Sequence, residues 1–412
     1  MDTTLNAPVS LKERIGSLDV LRGVAVLGIL LMNSVCFSMV FAAYENPSVY
    51  DDLTGGGWWT WLTLHLFADQ KFMTIFSVLF GAGVCIFMER AEAKAHDAWQ
   101  LQLSRMGWLL FIGLVHAYLI WYGDILVTYA FAGIAVAIVR KWKPMTLFLL
   151  GLGSALGITL GTLFLFGLTV SYWPPEVIEG MRSTRDLASD GNIVETAAYT
   201  GSWGGQLMHR IPTSLGMHLF MMPIIIFWRA AGLMLIGMAL YRWGILSAKR
   251  STKFYTTMVF VGLLVGLPLI GVGVWQKSIN GWDPVGHLFF DGNWNIVGAL
   301  FVACAWIGLV MLVCKNQWFP FARKALAAVG RMALTNYIGQ SLICTYLFYG
   351  HGLGWFGQVG RVELLGVVVS IWIFQIIFSL VWLRFFRFGP LEWAWRSATY
   401  MKLQPLLVSS PS

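Results

Sequence analysis

Charge is what this sequence has least of. Only 12% of its 412 residues are Asp, Glu, Lys or Arg, against about 25% in soluble domains. With 58% hydrophobic residues and a mean hydropathy of +0.69, a soluble fold would need a core too large for its polar shell to cover. Lipid removes that constraint. A basic arm or patch is also missing. The net charge of +8 is spread in short clusters between apolar runs, which reads as membrane topology rather than as a nucleic-acid partner. Cysteine is scarce, and Cys36, Cys85, Cys304, Cys314 and Cys344 lie in or beside apolar segments with no CxxC spacing. They read as small hydrophobes, so neither disulfide nor metal site is expected. No small-x-small cleavage pattern follows the first apolar run, which starts near Leu18 and passes Val40. It is longer than a signal core and is expected to remain as the first helix. What the chain does have is aromatic, with 21 Trp and 28 Phe, residues that collect at membrane interfaces.

An apolar helix needs about 20 residues to cross hydrocarbon. That rule predicts an all-α, polytopic transmembrane helix bundle with spans near 18–42, 58–88, 106–122, 124–140, 145–172, 214–241, 254–275, 292–314, 325–349 and 362–386. These about ten spans form one transmembrane domain over 1–412. The second is long enough to tilt or break. Every second loop is basic. Lys12, Arg14 and Arg22 precede the first span, Arg90, Lys94 and Arg105 follow the second, and Arg140, Lys141 and Lys143 follow the fourth. The same holds after the sixth, eighth and tenth, whereas 43–57 has no basic residue. Both termini are therefore expected in the cytoplasm, with the chain multi-pass in a bacterial cytoplasmic (inner) membrane. Residues 173–212 form an external loop suited to capping an external cavity, and 387–412 a cytoplasmic interfacial tail with Trp393, Trp395 and Arg396 at headgroup level. Gly153, Gly157 and Gly161 make a small-xxx-small ladder, which predicts a close helix approach.

Ionisable groups cost about 2.5–3.5 kcal/mol each in hydrocarbon on insertion scales, so each needs a reason. Asp19 and Arg22 are three apart at the opening of the first span and pair on one helix face. Asn33 returns to nearly that face about 16 Å deeper. His65 and Asp69 are four apart in the second span and share a face, while Asp69 and Lys71 are two apart and point to nearly opposite sides. Both are satisfied only if the helix breaks or is packed by protein on both faces. His116 lies in the third span, and Asp124 follows eight residues later. A break at Gly123 would fold Asp124 back onto it, or the two serve different partners. Arg229 in the sixth span needs an anion, for which Asp69 and Asp124 are the candidates. Asn33, Asp69 and His116 fall at one depth on three consecutive spans, which suggests a shared cavity.

The opening Ser17-Leu18-Asp19-Val20-Leu21-Arg22-Gly23 with Leu31-Met32-Asn33 resembles the start of the bacterial DUF418 (YeiB-like) membrane proteins. Lys71-Phe72 leading into Phe76-Ser77-Val78-Leu79-Phe80-Gly81 agrees, as does His116 with Trp121-Tyr122-Gly123-Asp124. So do Gly330-Arg331-Met332-Ala333-Leu334-Thr335-Asn336-Tyr337 and Gly389-Pro390-Leu391-Glu392-Trp393 near the end. The Asp-x-x-Arg-Gly opening is also similar to the acyltransferase-3 proteins and the heparan-glucosaminide N-acetyltransferase family. That similarity implies transfer of an acyl group from cytosolic acyl-CoA (acetyl-CoA) to a small-molecule or lipid-linked acceptor reached from the far side. In those groups a histidine near the end of the first span is central. Here Asn33 takes the acyltransferase-3 position and no histidine follows until His65, so His116 or His65 would have to substitute.

The chemistry needs a base for the acceptor, donors for the thioester oxyanion and cations for the CoA phosphates. His116 is the expected base, with His65 as the alternative and Asp124 or Asp69 orienting it. Asn33 is suited to the oxyanion. Arg22, with its partner Asp19, and Lys71 are suited to the cofactor. The rival expectation is a proton-coupled secondary transporter or exporter, since buried Asp, Lys and His also build proton relays.

Overall fold

Apolar runs of this length satisfy their backbone only as helices. The computed structural model describes residues 15–408, and beyond one isolated β-bridge between Phe386 and Leu407 its regular elements are helical. In chain order the helices that position the site are α1 (Gly16–Ser38), α2 (Gly55–Phe67), α3 (Lys71–Ala93) and α4 (Ala98–Ile120). Next come α5 (Leu126–Ile138), α6 (Pro144–Tyr172), α7 (Pro175–Ser183), α8 (Asp190–Thr200) and α9 (Trp203–Arg242). The chain then forms α10 (Thr252–Ile279), α11 (Asn293–Lys315), α12 (Pro320–Arg331), α13 (Ala333–Phe348), α14 (Arg361–Phe385) and α15 (Pro390–Thr399). Among the described residues, 8 segments are long and apolar enough to cross a membrane, with α2 and α3 counted as one. The shorter α5 and α13 fall where the fourth and ninth spans were expected. The chain is a multi-pass helical membrane protein. Lys12 and Arg14 lie outside the described residues.

The second expected span does break. Gln70 sits at φ 63 between α2 and α3, a left-handed conformation that a side chain adopts only at a cost. The break lets Asp69 and Lys71 point into the same packed region. The fourth span starts late because Trp121–Ile125 leaves the helix, which turns Asp124 back toward α4.

The glycine ladder of α6 is a correction. A Cβ at Gly153, Gly157 or Gly161 would meet nothing within 4 Å. The close approach is made instead by Gly151 and Ala155 against the backbone of Gly232 in α9. Two residues of helix turn the ladder about 200°, so Gly153, Gly157 and Gly161 face away from the bundle while Gly151, Ala155 and Thr159 are buried.

The segment expected as an external loop is largely helical. Glu195 on α8 accepts the Phe41 N–H through both carboxylate oxygens, each at 3.1 Å, and Tyr199 O accepts from Gly350 N at 2.8 Å. Burial pushes the Glu195 carboxyl up to about 7. A carboxyl raised on folding holds its proton to higher pH in the native state than in the unfolded chain. Its contribution therefore falls as pH rises from about 4.5 through about 7. Thermal unfolding in detergent is expected to lose stability between about pH 5 and about pH 8, and Glu195→Gln should flatten that slope. An unchanged slope in the variant would refute the assignment.

Candidate catalytic site

The last turn of α4 is a wide π-helical one over His116–Ile120, the kind of local irregularity that recurs at functional sites. It leaves His116 fully buried. Its Nδ1 lies 2.7 Å from Asp124 Oδ2, and its Nε2 lies 2.9 Å from Ser341 Oγ on α13. The other Asp124 oxygen accepts the Val127 N–H at 2.8 Å in the first turn of α5, where the helix dipole favours a carboxylate. The ring of Tyr337, one turn before Ser341, stands 5.2 Å from the imidazole, and that of Trp121 stands 6.3 Å away, edge-on. Trp121 stacks on Phe37 of α1 at 4.1 Å, and its buried Nε1 has no hydrogen-bond partner.

At the basic end a cavity of about 720 Å³ opens between α1, α3, α4 and α15. Its lining carries Arg22, Arg90, Lys94, Arg105, Arg331 and Arg396 against Asp19 and Glu392. Asp19 pairs with Arg22 at 2.9 Å, and Arg105 lies over the rings of Phe87 and Trp395 at 4.8 and 5.0 Å. A narrower cavity of about 190 Å³ shares Arg22, Gly83, Arg105, Trp395 and Arg396 with it. Its remaining lining includes Phe76, Phe80, Leu126, Tyr129 and Tyr337. A cationic mouth thus passes into an apolar passage whose deep wall is the neighbour of His116.

A second buried cluster forms at the α2–α3 break. Asp69 accepts from Tyr44 OH at 2.8 Å and from Asn295 Nδ2 at 2.6 Å, and lies 3.0 Å from His65 Nδ1. Lys71 Nζ donates to His65 O at 2.6 Å and to Asn295 Oδ1 at 2.7 Å. Trp61 stacks on His65 at 4.8 Å. Beside this lie Glu45, Lys277 and His287. His287 Nε2 is 2.6 Å from Glu45 Oε2, and Lys277 Nζ is 3.8 Å from the same oxygen. Burial alone would raise the Glu45 carboxyl, but the imidazole and the ammonium hold it below its ordinary value.

The structure therefore brings the sequence candidates together in three groups: Asp19 with Arg22, His65 with Asp69 and Lys71, and His116 with Asp124. The third group realises the fold-back at Gly123. Lys71 is separated from Arg22: it opens α3 at the end opposite Ala93, is fully buried, and lines neither cavity. Asn33 is half-buried and makes no hydrogen bond among the described residues, and neither cavity at the basic end is lined by Asn33, Asp69 or His116. Arg229 is buried without an ion pair to Asp69 or Asp124, and its Nη2 has no partner. Sequence reading missed Ser341, Asn295 and Tyr44. Ser341 and Tyr44 carry no charge for hydropathy to flag, though Ser341 follows the motif that ends in Asn336-Tyr337 on the same span.

Residues 240–402 match the family model described as "Protein of unknown function (DUF418)". Over 405 residues, covering 96% of this chain and 98% of the relative, the chain is 35% identical to the uncharacterized protein YeiB of Escherichia coli. It belongs to the DUF418 family. A second DUF418 relative, the uncharacterized protein YxaH of Bacillus subtilis, is 31% identical over 97% of both chains. The uncharacterized 39.9 kDa protein in the amylase 3' region of Bacillus acidopullulyticus is 26% identical over 97% of this chain and 98% of its own. The matched DUF418 segment holds Ser341 and Arg331, while His116 and Asp124 lie before it.

Proposed function

We propose that this DUF418 protein is an acyltransferase of the bacterial cytoplasmic membrane. It takes an acyl group from acyl-CoA, acetyl-CoA first among the candidates, at its basic end. It passes the group to a small-molecule or lipid-linked acceptor reached from the opposite side. The observation that carries this reading is the pair of joined cavities: cations at the mouth suit the CoA phosphates, and the apolar passage suits the pantetheine arm and leads toward an imidazole held by a carboxylate. A buried His–Asp pair of this kind fits general-base catalysis on an acceptor hydroxyl or amine. Arg22 and Arg105 stand where mouth and passage meet, so they are the residues proposed to grip the cofactor. Lys71 is not part of that grip.

A second reading, a proton-coupled transporter or exporter, draws on the Asp69, Lys71 and Glu45 cluster, whose groups would serve a relay. Purified protein separates the two. Acetyl-CoA is expected to raise the unfolding temperature of the wild type, with the apparent affinity falling about 10-fold or more in Arg22→Gln, a loss of about 1.4 kcal/mol. His116→Gln should still bind acetyl-CoA and lose thioester cleavage. Folded protein that no acyl-CoA stabilises would move the reading to transport.

A further inference from the structure

Resting on the acyl-transfer reading, the geometry points to a covalent two-step route in which Ser341 Oγ carries the acyl group between acyl-CoA and the acceptor. The hydrogen-bond directions lead to this. An ionised Asp124 only accepts. One of its oxygens takes the Val127 N–H, and the other, 2.7 Å from His116 Nδ1, must receive that nitrogen's proton. Nε2 of the neutral ring is then an acceptor, so the Ser341 hydroxyl 2.9 Å away donates to it. This is the tautomer and the polarity that an activated hydroxyl nucleophile needs, with base and orienting carboxylate in line.

A serine inside a helix ordinarily bonds back to the carbonyl four residues earlier. Here that contact, to Tyr337 O, is 3.4 Å and longer than the contact to His116. Ser341 and Tyr337 share a face of α13 about one turn apart, about 6 Å along the axis, and Tyr337 walls the apolar passage. The thioester therefore arrives one turn from the hydroxyl. Trp121, its ring 6.3 Å from the imidazole, is the candidate for the remaining element. Its buried Nε1–H has no partner, and an orphaned buried donor in a native structure calls for an explanation. Beside the imidazole, a developing oxyanion would satisfy it.

In the first step Ser341 Oγ adds to the thioester carbonyl carbon while His116 Nε2 takes the hydroxyl proton. The C–S bond then breaks and the sulfur leaves with that proton as the CoA thiol. In the second step the acceptor hydroxyl or amine gives its proton to His116 Nε2 and attacks the ester carbonyl. The bond to Ser341 Oγ breaks and the oxygen regains the proton. Asp124 stays ionised throughout.

The test is acid-quenched intact-mass and peptide-mapping analysis of the purified full chain after incubation with acetyl-CoA alone. Thiol release is followed in parallel. The expected result is one acetyl group on the peptide bearing Ser341 in the wild type. Ser341→Ala should show no label and an about 10³-fold slower thiol release, while still being stabilised by acetyl-CoA. Ser341→Cys should hold the label as a thioester released by hydroxylamine. Ser341→Ala releasing thiol at the wild-type rate would overturn the covalent route and leave direct transfer with His116 as base, and a label on His116 would overturn the role of Ser341 by making that imidazole the nucleophile. Wild-type protein that neither binds nor cleaves acetyl-CoA would overturn the acyl-transfer reading itself.

Discussion

Asp124→Asn is expected to slow thioester cleavage by about 10³–10⁴-fold while leaving the fold and the acetyl-CoA affinity close to wild type. The substitution keeps the shape of the side chain, so packing changes little. What changes is the direction of one hydrogen bond. The Val127 N–H, fixed in the first turn of α5, demands an acceptor at 2.8 Å, and asparagine has one oxygen to offer. That oxygen goes to Val127, and the amide NH₂ then faces His116 Nδ1 at the position where Oδ2 stands at 2.7 Å. A donor there forces the proton from Nδ1 to Nε2. With Nε2 protonated, the imidazole accepts no proton from Ser341 or from an acceptor. The cofactor mouth, formed by Arg22 and Arg105, is untouched. Thiol-release kinetics give the answer directly. A fall in kcat with KM near wild type is the expected pattern, and full activity in the variant would sink the assignment of His116 as the base. His116→Gln is a harsher version of the same test, because it removes the base and leaves the Asp124 carboxylate buried without its imidazole.

Helix number and order were legible because spans in lipid announce themselves by hydropathy and length. Legibility stopped where azimuth or register mattered. The requirement that Asp69 and Lys71 both be satisfied left a break or protein packing on both faces, and a break falls between them at Gln70. Depth counting put Asn33, Asp69 and His116 on one level, but depth says nothing of direction around the bundle axis, and the Asp69 and His116 clusters turned out to be separate. The same blindness misplaced the α6 ladder, where the spacing of Gly153, Gly157 and Gly161 was seen but the face on which it lies was not. Lys71 and Arg22 were grouped by charge, yet they belong to opposite ends of the bundle. Ser341 was invisible for a different reason. A neutral hydroxyl in an apolar span costs little on any insertion scale, so only its distance to His116 sets it apart from a packing serine.

The largest stability effect is expected from Asp69→Ala, a loss of about 3–5 kcal/mol. Asp69 and Lys71 are almost wholly buried, at 1% and 0% exposure. Asn295 joins them, its Nδ2 donating to Asp69 and its Oδ1 accepting from Lys71. Removing the carboxylate strands three donors at once, Tyr44 OH, His65 Nδ1 and Asn295 Nδ2, and takes away the negative charge joined through Asn295 to the fully buried Lys71 ammonium. The desolvation cost of that ammonium dominates, because a buried charge without its partner costs far more than a lost neutral hydrogen bond. The double variant Asp69→Leu with Lys71→Met removes both charges and is therefore expected to recover more than half of the loss. Thermal unfolding of the purified proteins measures both. A double variant as unstable as Asp69→Ala would mean that the hydrogen bonds of Tyr44 and His65, rather than the charge pair, hold the α2–α3 break. Its thioester cleavage then bears on function. If the cluster only braces the bundle, the double variant keeps cleavage near wild type. If cleavage disappears while acetyl-CoA still binds, the cluster reaches into the transfer step from the side on which the acceptor is expected.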